Sequence, residues 1–110
     1  MPAEHRIDGV EFDAEVHIVH FKTKSFLYED LNGSVIGVIF DRKTGGNYEN
    51  PFLASFFDSV DQIGIGKKQA KIKLVEFLES IDTEHYWTYS GSLTTPPCTE
   101  GIVWNVIKQV

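Results

Sequence analysis

The chain has 110 residues and a formal charge of −6, so it holds one domain at most. Its scattered lysines and arginines form no clustered basic face of the kind nucleic acid requires. A hydrophobic content of 42% excludes a disordered chain, no apolar run approaches the ~18 residues of a membrane span, and the opening Met1-Pro2-Ala3-Glu4-His5-Arg6 lacks the apolar core of a signal peptide.

Phe12 to Phe21 alternates and carries β-branched Val16, Ile18 and Val19, which predicts a strand. Asp30-Leu31-Asn32-Gly33 reads as a turn. Val35-Ile36-Gly37-Val38-Ile39-Phe40 is a continuous apolar run, the mark of a strand buried on both faces. Thr44-Gly45-Gly46-Asn47 reads as a loop. Asn50-Pro51 then opens a helix, with Asn as cap and Pro in the first turn. Phe52, Leu53, Phe56, Phe57 and Val60 recur at helical spacing and form one apolar stripe, expected in the core. Ile63-Gly64-Ile65-Gly66 ends that helix. Lys71 to Leu74 alternates weakly, as a short strand would, and Glu76 to Ile81 supplies one or two helical turns. His85 to Tyr89 and Gly101 to Ile107 read as strands. Four or five strands with one clear helix predict a sheet-dominated α+β fold over residues 1–110. Both ends read as cut: the last apolar strand has no evident partner downstream.

Two segments carry chemistry. In Glu15-Val16-His17-Ile18-Val19-His20, alternate strand residues share a face. Glu15, His17 and Val19 face one way, and Val16, Ile18 and His20 the other. On a strand His17 and His20 cannot hold one metal; on a helix they could, but the β-branched content favours the strand. A histidine in an apolar strand is ordinarily a satisfied core residue. Glu15 on the face of His17 adds a second possibility, because a carboxylate beside an imidazole fixes its tautomer and is the usual support of a metal-bound histidine.

The other segment runs from Tyr89 through Ser92-Leu93-Thr94-Thr95-Pro96-Pro97-Cys98 to Trp104. Residues before proline avoid the helical region, so Thr95 and Pro96 are expected to be extended. Proline has no backbone N–H, so the run cannot be an interior strand. It reads as a rigid loop that presents Thr94 and Thr95 at fixed positions. Cys98 is the sole cysteine, so no disulfide can close within the chain, and the redox compartment stays open.

Together these segments resemble the alpha-class carbonic anhydrases. Glu15 to His20 is similar to the family's strand with the third zinc histidine, and Tyr89 to Pro97 with Trp104 to its substrate loop. Glu4-His5 before Asp8-Gly9 is similar to its Glu-His pair, and Ser34 to Val38 to its pocket-wall strand. The resemblance covers nearly the whole chain. It implies part of a large, twisted, mixed β-sheet, incomplete at both ends. It implies that His17 ligates Zn2+ with Glu15 orienting it. Thr94 would accept a hydrogen bond from the zinc-bound hydroxide while donating its own proton to Glu4, since a hydroxyl has one donor and two acceptor sites. Thr95 would be a polar neighbour. Val19, Val35, Leu93 and Trp104, with Ile102 beside them, would line the apolar wall where carbon dioxide rests before bicarbonate leaves. His5 and His20 would be structural.

The family's zinc is held by three histidines, two on a His-x-His strand. That strand lies outside these residues, since His5, His20 and His85 offer no such pair. The resemblance therefore implies an internal piece of a larger domain, inactive alone. A cysteine after Pro-Pro pairs, in secreted and membrane-anchored members, with one near the domain's start. By that likeness Cys98 would bridge to the missing region, and the parent protein would be secreted or membrane-anchored. The competing expectation is a related module without zinc that serves as a binding surface. Retention of Glu4, Glu15, His17 and Thr94 favours the enzyme, because a module without metal has no physical need for that network.

Overall fold

The structure, a computed structural model, describes residues 2–22, 31–45, 50–64, 66 and 73–110. In chain order the elements are β1 (Ala14–Phe21), β2 (Gly33–Phe40), α1 (Arg42–Gly45), α2 (Pro51–Gly64), α3 (Leu74–Ser80), β3 (Tyr86–Ser92) and β4 (Glu100–Ile107). The strands form one mixed sheet in the order β1-β2-β4-β3. β2 pairs antiparallel with β1 and parallel with β4, and β3 pairs antiparallel with β4. The sheet-dominated α+β expectation holds.

The apolar run of β2 forms a central strand, and Val35, Val38 and Ile39 are all buried. Alternation along the strands separates two cores. Val38, Phe52, Phe77 and Ile107 form the core beneath the helices, with Val16, Ile18 and Ile36 packed against it. Val35, Ile102 and Trp104 form a second cluster on the opposite face. The helices therefore occupy one side of the sheet and leave the other for the site.

α2 starts as its sequence predicts: the Asn50 side-chain oxygen accepts from the backbone N–H groups of Phe52 (2.9 Å) and Leu53 (3.3 Å), with Pro51 at the first position. Phe52 is buried and stacks on Phe77 with ring centroids 4.0 Å apart. Leu53 packs against the same core, but the remainder of the stripe is not core. Phe56, Phe57 and Val60 are exposed, Phe57 by 61%. The helix turns its Phe52–Ser59 line inward, one of the i, i+7 rows of a helix. The apolar stripe is wider than the surface that covers it.

Three local expectations change. Thr44 and Gly45 belong to α1 rather than to a loop. The Asp41 carboxylate accepts from the Lys43 N–H, and Asp13 accepts from the Arg42 N–H, so the first turn is capped. Gly46 and Asn47 lie outside the described residues. Leu74 opens α3 instead of ending a strand, while Lys71 and Ile72 of that expected strand lie outside the described residues, as does Asp30 of the predicted turn. α3 takes in most of the short helix expected from Glu76 onward.

The proline run is not part of a strand, as expected, but neither is it straight. β3 extends to Ser92, with an irregularity between Gly91 and Ser92. The chain then reverses at Thr95–Cys98, where the Cys98 N–H donates to the Thr95 carbonyl at 2.8 Å across a cis Pro96–Pro97 bond. A tight turn with a central proline satisfies the same exclusions that suggested an extended loop. The Leu93 N–H donates to the Thr99 carbonyl at 2.9 Å and closes the loop's base.

Candidate metal centre

The site lies on the helix-free face. In register, His17 stands opposite Gly37 and Gly37 opposite Val106, while Val19, Val35, Trp104 and Tyr89 form the next row across the four strands. Glu15 stands one step along β1, on the same face as His17.

The N-terminal segment folds against this face. Asp8 (φ 52°) and Gly9 (φ 77°) make a two-residue turn closed by reciprocal Ile7–Val10 backbone hydrogen bonds. Two successive positive φ values are what an Asp-Gly hairpin turn supplies. The reversal brings Glu4 and His5 alongside β1.

Glu15 organises the site. Its Oε2 accepts from the backbone N–H groups of Glu4 (3.0 Å) and His5 (2.9 Å). Its Oε1 lies 2.5 Å from His5 Nδ1 and 2.8 Å from His17 Nε2. The side chain is only 2% exposed. Burial pushes its pKa up, but the hydrogen bonds from His17, the His5 backbone and the His5 ring outweigh it and hold the carboxyl at about 2. Glu15 is therefore an anion at neutral pH. Its hydrogen bond, set against partial burial, raises the His17 pKa.

His5 Nδ1, Glu15 and His17 lie close enough to suggest a three-ligand metal site, with ligand atoms within 4.8 Å of one another. Hydrogen-bond accounting assigns them differently. His5 Nδ1–H donates to Glu15, and its Nε2 accepts from the Tyr89 hydroxyl at 2.5 Å, so both ring nitrogens are engaged. Glu15 accepts four hydrogen bonds. His17 Nε2–H faces Glu15, so in the neutral ring Nδ1 is the nitrogen left to bind a cation. The Glu4 carboxylate stands 3.7 Å from that Nδ1. Burial, then the negative charges of Glu15 and Glu4, raise the Tyr89 pKa.

Trp104 floors the site. It is 2% exposed, and its Nε1–H donates to the Ser92 carbonyl at 3.0 Å. The His17 and His5 rings meet it edge-on at 4.8 and 5.1 Å. Val35, Ile102 and Trp104 pack together with Leu93 against them. Val19 stands opposite Val35 and is 44% exposed. Thr94 and Thr95 are exposed on the loop, and among the described residues no hydrogen bond joins Thr94 to Glu4. Cys98 is a free, exposed thiol. His20 lies on the opposite face, and His85 Nδ1 is 2.7 Å from Asp82. The structure thus brings Glu4, Glu15, His17, Val35, Leu93 and Trp104 to one face.

Sequence reasoning missed two members. Tyr89 reads from sequence as a strand's end and the loop's start, with no sign of its partner His5 84 positions away. His5 was set aside as structural, and it proves to be the clamp that engages Glu15. The Asp8-Gly9 turn was the available signal for His5. None existed for Tyr89, because its partner lies in the N-terminal segment, 84 positions away, and only the folded sheet brings the two together.

The family model for eukaryotic-type carbonic anhydrase matches residues 1–110, and the chain belongs to that family. It is 34% identical over 110 residues to alpha carbonic anhydrase 4 of Arabidopsis thaliana, covering 99% of this chain and 37% of that protein. It is 37% identical over 115 residues to human carbonic anhydrase 3, covering 97% of this chain and 42% of that protein. The solved structure of a fungal alpha carbonic anhydrase from Aspergillus oryzae superposes with a TM-score of 0.74 at 28% identity, over 98% of this chain and 44% of that one. The chain thus spans about two-fifths of the length of these relatives. No helix among the described residues is long and apolar enough to cross a membrane.

Proposed function

We propose that this chain supplies the third-histidine side of a zinc centre that hydrates carbon dioxide to bicarbonate. The observation that supports this most is the saturation of Glu15. Four accepted hydrogen bonds hold the carboxylate still, and the carboxylate fixes His17 in the tautomer with Nδ1 free. Zinc, when bound, supplies hydroxide at neutral pH by acidifying its water, for which carbonic anhydrase is the established case.

The chain's own residues do the rest. His17 holds the metal through Nδ1, and Glu15 keeps the proton on Nε2. Val35, Leu93 and Trp104, with Val19 and Ile102 beside them, give an apolar wall suited to an uncharged substrate without a dipole. Thr94 and Thr95 are the polar contacts above it. Thr94 orients the attacking oxygen once its hydroxyl donates to Glu4, which requires the loop to close on the Glu4 carboxylate. Among the described residues His5 is fully engaged and His20 faces away, so the other two histidines of a three-histidine site come from outside these residues. Cys98 is the position for a bridge to that outside region.

Zinc titration and stopped-flow hydration test this reading. The 110-residue chain alone is expected to bind zinc weakly and to show no hydration. A full-length domain that contains it should hydrate carbon dioxide and lose both zinc and activity on His17→Ala. Tight zinc binding by the isolated chain, or a His17→Ala domain with undiminished zinc affinity, overturns it.

A further inference from the structure

Gly37 sits mid-strand in β2, where glycine weakens a sheet and commonly marks a close approach. Its register partners on either side are His17 and Val106, so all three point to the site face. A Cβ built at Gly37 would lie 2.9 Å from Glu15 Oε1, 3.7 Å from Val106 Cγ2 and 3.8 Å from His17 Cδ2. The carboxylate thus occupies the space that a side chain at 37 would fill. The end of a glutamate can usually swing aside cheaply. Here it cannot, because two backbone N–H groups and two imidazoles hold it. No positive φ explains this glycine.

We propose that Gly37 is a positioning residue: the notch it leaves in β2 seats Glu15 Oε1 between the His5 and His17 rings. A methyl group there pushes Oε1 away by a few tenths of an ångström or more. Oε1 then cannot keep both imidazole hydrogen bonds, and Val106 and His17 close off the space to either side. The step from carboxylate to zinc rests on the reading above; the step from Gly37 to carboxylate does not.

The test is nuclear magnetic resonance of the imidazole N–H protons in the full chain. Wild type should show far-downfield, slowly exchanging resonances for His17 Nε2–H and His5 Nδ1–H. Gly37→Ala should lose the His17 resonance while the amides of β2 and β4 keep their dispersion. Both resonances unchanged in a folded Gly37→Ala chain would sink the proposal. If Gly37→Ala lowers the unfolding midpoint, the same substitution on a Glu15→Ala background should lower it far less, since the notch is then empty. An equal drop in both backgrounds overturns the proposal. Loss of the His17 resonance with unchanged zinc affinity in the complete domain would support Gly37 and refute the zinc reading.

Discussion

Glu15→Gln is nearly isosteric and removes one thing, the carboxylate's ability to accept on both oxygens. Four N–H donors converge on this side chain. An amide offers one oxygen and one NH2 group, so two donors lose their acceptor. The backbone N–H groups of Glu4 and His5 cannot change character, and they will keep the oxygen. The NH2 then faces the two imidazoles. Each ring can adapt only by moving its proton: His5 from Nδ1 to Nε2, with Tyr89 turning to accept, and His17 from Nε2 to Nδ1. Hydrogen bonds to a charged group contribute about 1.5–3 kcal/mol and neutral ones about 0.5–1.5. All four bonds pass from the first kind to the second, so at about 1 kcal/mol apiece stability should fall by roughly 4 kcal/mol, read as a shift of the urea midpoint. The second effect is on tautomer. His17 would carry its proton on Nδ1, and zinc affinity in the complete domain should fall by roughly 10–100-fold. Nitrogen-15 shifts of the ring identify the protonated nitrogen directly. A Glu15→Gln chain in which His17 still carries its proton on Nε2, with zinc affinity intact, would refute the hydrogen-bond assignment.

The pH dependence has a fixed sign. Glu15 is held at about 2 against an ordinary 4.5, so its stabilisation is complete above about 4.5 and is lost as pH falls towards 2; urea midpoints across that window should decline in wild type and less in Glu15→Gln. Phe77→Ala removes a ring that is 2% exposed and stacked on Phe52, so denaturant unfolding should register a loss of about 3–5 kcal/mol. Phe57→Ser, at a side chain 61% exposed, should stay within about 0.5 kcal/mol of wild type in the same assay. Asn50→Ala deletes the cap of α2 and should lower stability by about 1 kcal/mol, with faster amide exchange at Phe52 and Leu53 as the local signature.

Much of this was legible because the signals were local. Alternation in Glu15 to His20 separated the face of His17 from that of His20, and the β2 run announced a central strand. Asn50-Pro51 fixed the start of α2. The resemblance to alpha-class carbonic anhydrases placed Glu4, His17 and Trp104 on one site before their contacts were known. What stayed hidden depended on geometry across the sheet. Which part of the stripe on α2 would be covered depends on how the helix is rolled against the sheet, and spacing alone does not set that roll. The proline run's exclusions were correct, yet both a turn and an extended loop satisfy them. Gly37 reads as one member of a continuous apolar run, and only the position of the carboxylate above it gives it a separate role.

The strand order has a consequence for the timing of folding. β2 lies parallel to β4, and α1, α2, α3 and β3 intervene along the chain. β1 and β2 can pair as soon as both exist, since their connection is short. The face they present then has His17 and Glu15 but no tryptophan floor and no hydroxyl from Tyr89. Closing so large a loop carries an entropic penalty before any contact rewards it. The tryptophan floor and the Tyr89 hydroxyl are therefore added last, whereas Glu4, His5 and Glu15 all precede β2, so a nascent chain that holds β1 and β2 should already favour the His17 proton on Nε2.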